Sequence, residues 1–132
     1  DGKRETFDNL YPTNHTFYGF IDFVSLQNIF DYRLQLKASP TKRMSLQADY
    51  HVFYLDTPKD NLYAASRAIK RATAAGADDF VGTEIDLLAK YKANDYLDFM
   101  IGYSHFFAGD FLEDTGSADD ADFVYVQANV SF

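Results

Sequence analysis

The chain has 132 residues, one domain's worth, with no Cys, no Trp, ten Tyr, 13 Phe and a net charge of −8. Zero Cys excludes disulfides, Cys-ligated zinc and thiol chemistry, and the acidic balance argues against a nucleic-acid partner. No apolar run approaches the roughly 20 residues of a membrane helix, while a mean hydropathy of −0.30 suits strands that alternate lipid-facing and lumen-facing residues.

The opening DGKRETFDNLYP reads like the middle of a loop, so the chain is expected to begin partway through a longer protein. Thr16 to Val24 has a strand-like composition. As a membrane strand, however, it would leave an unusually long inner turn before it. Residues 1–27 are therefore expected to be a large extracellular loop, partly folded over a pore mouth, and residues 28–132 strands and loops.

Alternation begins at residue 29. Phe30, Tyr32, Leu34, Leu36 and Ala38 oppose Asp31, Arg33, Gln35 and Lys37. A period of two with one apolar face is a half-exposed strand. Ser39-Pro40-Thr41-Lys42 reads as a tight turn. From 43 to 54, Met44, Leu46, Ala48, Tyr50, Val52 and Tyr54 oppose Arg43, Ser45, Gln47, Asp49 and His51.

A long polar stretch follows, from Asp56 to Asp79. Its Ala-rich part, Asn61 to Ala77, favours a short helix. Spacings of three and four would then put Arg67, Lys70 and Arg71 on one helix face. Such a cluster is either an anion-attracting patch at a pore mouth or a solvated helix without a ligand.

Alternation resumes from 80 to 91, with Val81, Thr83, Ile85, Leu87, Ala89 and Tyr91 against Gly82, Glu84, Asp86 and Lys90. After a short turn at Ala93-Asn94-Asp95, Leu97, Phe99, Ile101 and Tyr103 oppose Asp98, Gly102 and Ser104. The stretch from Ala108 to Asp122 carries Asp110, Glu113, Asp114, Asp119, Asp120 and Asp122. It lacks the ligand order of an EF-hand, and a disordered acidic loop is expected. The last strand, 122–132, sets Val124, Val126, Ala128, Val130 and Phe132 against Phe123, Tyr125, Gln127, Asn129 and Ser131.

Strands of about 10 to 12 residues match a tilted membrane crossing. Connections alternate short and long, as periplasmic turns and extracellular loops do in outer-membrane barrels. Aromatic residues near the stripe ends, among them Phe30, Tyr32, Tyr54, Tyr91, Tyr103 and Phe132, suit interfacial girdles. The fold expected is all-β: an antiparallel transmembrane β-barrel. Five or six strands do not close a membrane pore, since bacterial single-chain barrels begin at about eight. The chain is thus expected to be the C-terminal five or six strands of a larger barrel, its other strands lying elsewhere. A soluble antiparallel barrel binding a small ligand offers the same alternation and stays open as the alternative.

Parity names the pore-lining candidates: Asp31, Arg33, Gln35, Lys37, Gln47, Asp49, His51, Glu84, Asp86, Lys90 and Gln127, with Arg43 beside them. These charges either meet the solute or pair across strands. Glu84 and Asp86, two apart on one strand, lie roughly 7 Å apart, between the separations that retaining and inverting glycosidases use. Nothing else organises them, so catalysis is not expected, and a barrel hydrolase is the remote third reading. His15, His51 and His105 are scattered, and no metal or cofactor is expected. His105 shares parity with the lipid-facing residues near the outer rim, an interfacial position.

The segments Phe7-Asp-Asn-Leu-Tyr-Pro-Thr-Asn-His15, Tyr18-Gly-Phe-Ile-Asp22 and Asp49-Tyr-His-Val-Phe-Tyr-Leu55 resemble the alginate-export family of outer-membrane barrels. So do Gly82-Thr-Glu-Ile-Asp-Leu87, Gly102-Tyr-Ser-His-Phe-Phe-Ala-Gly109 and Tyr125-Val-Gln-Ala-Asn-Val-Ser-Phe132. The resemblance covers most of the chain outside residues 58–78 and represents about the C-terminal third of a family member. It implies an outer-membrane location, lipid around the barrel, and a large monomeric barrel whose lumen passes solutes passively, with loops as constrictions. In the best-known case the solute is an anionic exopolysaccharide and the pore is rich in Arg. Here the lumen face is mixed, which departs from that pattern and leaves the solute open.

Overall fold

The computed structural model describes residues 18–64, 66 and 68–132. The five alternating segments form one antiparallel sheet: β1 (Ile29–Thr41), β2 (Met44–Leu55), β5 (Phe80–Lys92), β6 (Leu97–Ala108) and β7 (Ala121–Val130), in the order β1-β2-β5-β6-β7. Each long strand pairs with its neighbour in sequence, as alternating short and long connections predict. A small hairpin, β3 (Leu62–Tyr63) and β4 (Ile69–Arg71), lies between β2 and β5, and one short helix, α1 (Asp110–Thr115), lies between β6 and β7. Among the described residues no helix is long and apolar enough to cross a membrane; the long elements are strands.

Parity in the sequence becomes two faces in the sheet. One face exposes large apolar side chains on every strand: Leu34 and Leu36 on β1, Leu46 and Tyr50 on β2, Leu87 on β5, Ile101 on β6, Val126 and Val130 on β7. Val126 is 73% exposed and Leu36 63%. The other face buries charge: Glu84 is 0% exposed and His51 1%. A water-soluble sheet has the opposite arrangement, because burying apolar area drives folding in water. A wall between lipid and an aqueous lumen requires the arrangement seen here.

Local irregularities have physical causes. Pro40 lies inside β1, not in the turn expected at residues 39–42, and the reversal falls at Lys42 and Arg43. The register shifts between Ala38 and Thr41, where a proline without an N–H fits an edge-strand bulge. A second shift, between Phe53 and Tyr54, opposes Phe53 to Gly82 and Tyr54 to Phe80. Gly82, at φ 147°, takes the bulge, and Val81 is turned into the core, fully buried. Gly102 pairs with Tyr125, and a Cβ on Gly102 would stand 2.2 Å from the tyrosine ring. The ring therefore lies on bare backbone and pins the β6–β7 register.

Both long loops depart from the structures expected of them, a helix in the first and a disordered acidic loop in the second. Asn61–Ala77 carries the β3–β4 hairpin where a helix is predicted, because Leu62 is drawn fully into the core with Val24, Phe53, Val81 and Phe106. The acidic stretch carries the helix. Phe111 and Leu112 are buried, and Asp110 and Glu113 in the first turn complement the helix N-terminus. Arg71 supplies the cation that the last turn lacks: its guanidinium donates to the carbonyls of Thr115 (3.4 Å) and Ser117 (2.6 Å).

The faces predict an asymmetric response to charge. Leu87→Arg should cost about 2–4 kcal/mol in a bilayer, whereas Gln127→Arg, on the opposite face, should cost well under about 1 kcal/mol. Denaturant unfolding of the vesicle-embedded barrel measures both, and equal losses would contradict the assignment of faces.

Candidate functional site

Cross-strand register, not nearness in sequence, assembles the polar face. Arg33 opposes His51, Gln35 opposes Asp49, and Lys37 opposes Gln47. Asp49 opposes Asp86 and His51 opposes Glu84. Asp86 opposes Ser104 and Lys90 opposes Met100, which in turn opposes Gln127. Directly opposed residues share a face, so every pore-lining candidate, from Asp31 on β1 to Gln127 on β7, lies on one side of the sheet.

That side has two zones. Toward the long loops, residues Tyr18–Asn28 cross it without forming a strand. Residues 1–17 of the expected loop lie outside the described residues. Under this segment Asp49, His51, Glu84, Asp86 and Ser104 are all at most 3% exposed. Toward the short turns, Gln35, Lys37, Lys90 and Gln127 are exposed. The candidates thus separate into a covered group and an open group.

Buried charge must be partnered or it destabilises the fold. Arg33 grips Asp49 with two nitrogens, Nη2 at 3.0 Å and Nε at 3.3 Å, and the Gln47 amide donates to the second carboxylate oxygen. His51 sits between two carboxylates, with Nδ1 2.8 Å from Asp31 and Nε2 3.7 Å from Asp86. Asp86 accepts from the Ser104 hydroxyl and from the Phe20 amide at 3.4 Å. Glu84 accepts from the Ile21 amide at 3.0 Å. The crossing segment thereby gives its own backbone donors to the buried acids.

Gly19 makes this approach possible. It has φ +93°, and a Cβ there would stand 2.6 Å from the Glu84 carboxyl atoms. Phe20 stacks on Tyr125 with centroids 5.7 Å apart, and Phe23 stacks on Phe106 at 4.3 Å. Val24 enters the core with no exposed surface. Burial and the neighbouring Asp31 carboxylate push the Tyr18 phenol above its ordinary pKa. These residues were not among the sequence candidates. The signal present was Gly19 set within an aromatic, apolar stretch whose alternation lapses.

The loop cations take roles different from those expected. Arg67 lies outside the described residues. Lys70 and Arg71 are neighbours on β4 rather than on one helical face. Arg71 is committed to the carbonyls after α1. Lys70 donates to the Phe23 carbonyl at 2.6 Å and places its ammonium 3.7 Å from the Phe23 ring centroid. The residue as a whole is exposed, yet its packed ammonium is partly desolvated, which lowers its pKa below the usual lysine value. Both cations hold loops together.

On the outer face His105 hydrogen-bonds Asp122 at 2.8 Å, and Tyr103 donates to the same carboxylate at 2.7 Å. Among the described residues no Ser hydroxyl reaches a His ring: Ser104 bonds Asp86, and His51 bonds Asp31. Among the described residues there is also no cluster of three or more His, Cys, Asp or Glu side chains placed to hold a metal ion.

A family model described as alginate export matches residues 1–126. No curated protein and no solved structure matches the chain.

The Arg33–Asp49 pair should show the energetics of buried charge. Asp49 has a side chain only 1% exposed. Arg33→Met should therefore cost about 3 kcal/mol, since a buried carboxylate is left with amide donors alone. Adding Asp49→Leu should recover most of that loss. Unfolding titrations of the two variants measure this, and equal losses in the single and double variants would refute the pairing argument.

Proposed function

The chain belongs to the alginate-export family, and from that premise we propose that its sheet is one wall of an outer-membrane channel passing anionic solutes passively through a water-filled lumen. The family is one of outer-membrane, porin-like transporters. Its transport role needs no chemical step from this chain. The exposed apolar face supports placement against lipid, since so wide an apolar surface in water would drive association. Both edge strands, β1 and β7, need further strands beside them, because unpaired backbone groups in hydrocarbon cost on the order of several kcal/mol each. We assign those strands to the rest of the same barrel. The short turns then lie on the periplasmic side and the long loops outside.

The observation that carries the choice of anions is the charge at the short-turn end. Lys37, Lys42, Arg43, Lys90 and Lys92 gather there, five of the 12 cations in a chain with 20 carboxylates. They line two adjoining cavities of about 230 and 560 Å³ that share Ser39, Ser45 and Lys90. Lys92 pairs with Asp95 at 2.8 Å. Among the described residues, Lys37, Lys42, Arg43 and Lys90 have no carboxylate within ion-pair distance. Exposed cationic side chains beside the Ser39 and Ser45 hydroxyls suit passing carboxylate or phosphate groups, acidic polysaccharide among them. A wall of exposed cations attracts anions without trapping them, because exposed pairs are individually weak.

Selectivity tests this reading. Lys37→Glu with Lys90→Glu, in the complete barrel in a planar bilayer, should move the reversal potential toward cation preference. The effect should fade with salt, since screening acts over about 8 Å at physiological ionic strength. An unchanged reversal potential at low salt would count against anion recruitment by this wall.

A further inference from the structure

We propose that residues Tyr18–Asn28 are a strap across the conduit whose closed position is set by Lys70, so that the β3–β4 hairpin governs how wide the channel opens. This inference rests on the channel reading above and concerns a different part of the wall.

The strap lies on the polar face but is not part of the sheet. Its hydrogen bonds run mostly to side chains: Phe20 and Ile21 amides to Asp86 and Glu84, the Ser25 hydroxyl to the Tyr63 carbonyl at 3.0 Å, and Asn28 to Thr57 and Asn61. The Asp56 amide also donates to the Asn28 carbonyl at 3.2 Å, and Val24 is anchored in the core. The strap turns at Gly19, at φ 93°, and at Asp22 and Asn28, at φ 58° and 55°, a left-handed conformation that Asp and Asn adopt more readily than other non-glycine residues.

Lys70 connects this strap to the loop above it. Its ammonium donates to the Phe23 carbonyl and covers the Phe23 ring, while the carboxylates of Asp22 and Glu84 act on the same charge. Phe23 in turn stacks on Phe106 of β6. One side chain thus joins the hairpin, the strap and the barrel wall. The hairpin itself is small, with strands of two and three residues, too short to be rigid on its own. Leu62, fully buried, anchors one of its strands, and Lys70 lies on the other. Lys70 is a positioning residue: it acts on the conduit through Phe23.

The test uses the complete barrel. Lys70→Met keeps the stem and removes the charge and the donor; Lys70→Arg keeps both. A latch of this strength biases a two-state equilibrium by about tenfold. Single-channel records of Lys70→Met should therefore show about that increase in time spent in a wider state. Liposome swelling should admit larger neutral sugars, and Lys70→Arg should behave as the native protein. Replacing residues 20–27 by a Gly/Ser linker should widen the channel permanently and make the Lys70 substitution silent. Native conductance and native size cut-off in Lys70→Met would overturn the latch. If that variant fails to fold, native values in the linker variant would overturn the strap. An unchanged reversal potential in the lysine-reversal variants would leave these size readouts unaffected, so failure of the anion reading is distinguishable from failure of the latch.

Discussion

A strand that meets lipid on one side and water on the other must satisfy every backbone donor and acceptor through its neighbours, because hydrocarbon offers no hydrogen bonds. Most of this structure follows from that constraint. It requires long strands in continuous antiparallel pairing, which β1, β2, β5, β6 and β7 supply. It leaves side chains free to differ by face, so Leu87 and Ile101 stand outward while Asp86 and Ser104 are directed inward. It confines bulges to places where a proline or glycine can absorb them, at Pro40 and Gly82. Loops with their own structure are displaced to the strand ends.

The inward face poses a second problem, which the strap solves. Carboxylates on adjacent strands, Asp49 against Asp86 and Glu84 beside them, repel one another when dehydrated. Arg33 offsets one of them, and His51 bridges Asp31 and Asp86. Phe20 and Ile21 bring one backbone amide each from outside the sheet to Asp86 and Glu84, while the second carboxylate oxygen of each acid stays buried without a hydrogen-bond partner among the described residues. Aromatic stacking of Phe20 and Phe23 on the wall supplies apolar contact around those bonds. The acids and the strap therefore stabilise each other, and neither arrangement makes sense alone.

Parity made the sheet legible in the sequence, because a period of two is imposed residue by residue and needs no knowledge of distant contacts. It found the five strands, their order and the one sheet face that the polar candidates share. It failed where a distant contact outweighed local preference. The Ala-rich stretch from Asn61 favours helix, yet burial of Leu62 makes it a hairpin. The acidic stretch after Ala108 suggested disorder, yet the adjacent pair Phe111 and Leu112, preceded by Gly109, marked a helix with something to bury. Parity also showed which face Glu84 and His51 occupy but not that a segment more than 20 residues before His51 covers them. No local rule reports a contact between residues as far apart as Ile21 and Glu84, which the hydrogen-bond geometry records as 63 positions.

The separation of the polar face into two zones resolves an apparent conflict in the charge. A chain with net charge −8 is a poor prospect for a conduit of anions if its charges are averaged. They are not averaged. Asp49, Glu84 and Asp86 are withdrawn beneath the strap and Arg33, their field reduced by direct partners. The acids near α1 lie at the long-loop end, and Asp114 there accepts from the Asp78 amide. Lys37, Lys42, Arg43 and Lys90 remain exposed at the other end. Screening at physiological salt reaches only about 8 Å, so a passing solute responds to the charges it meets in turn and not to the sum. An acidic protein can therefore carry a locally basic patch: Lys37, Lys42, Arg43 and Lys90 are exposed at the short-turn end with Asp98 beside them, while the strap and its neighbours keep Asp49, Glu84 and Asp86 buried at the other.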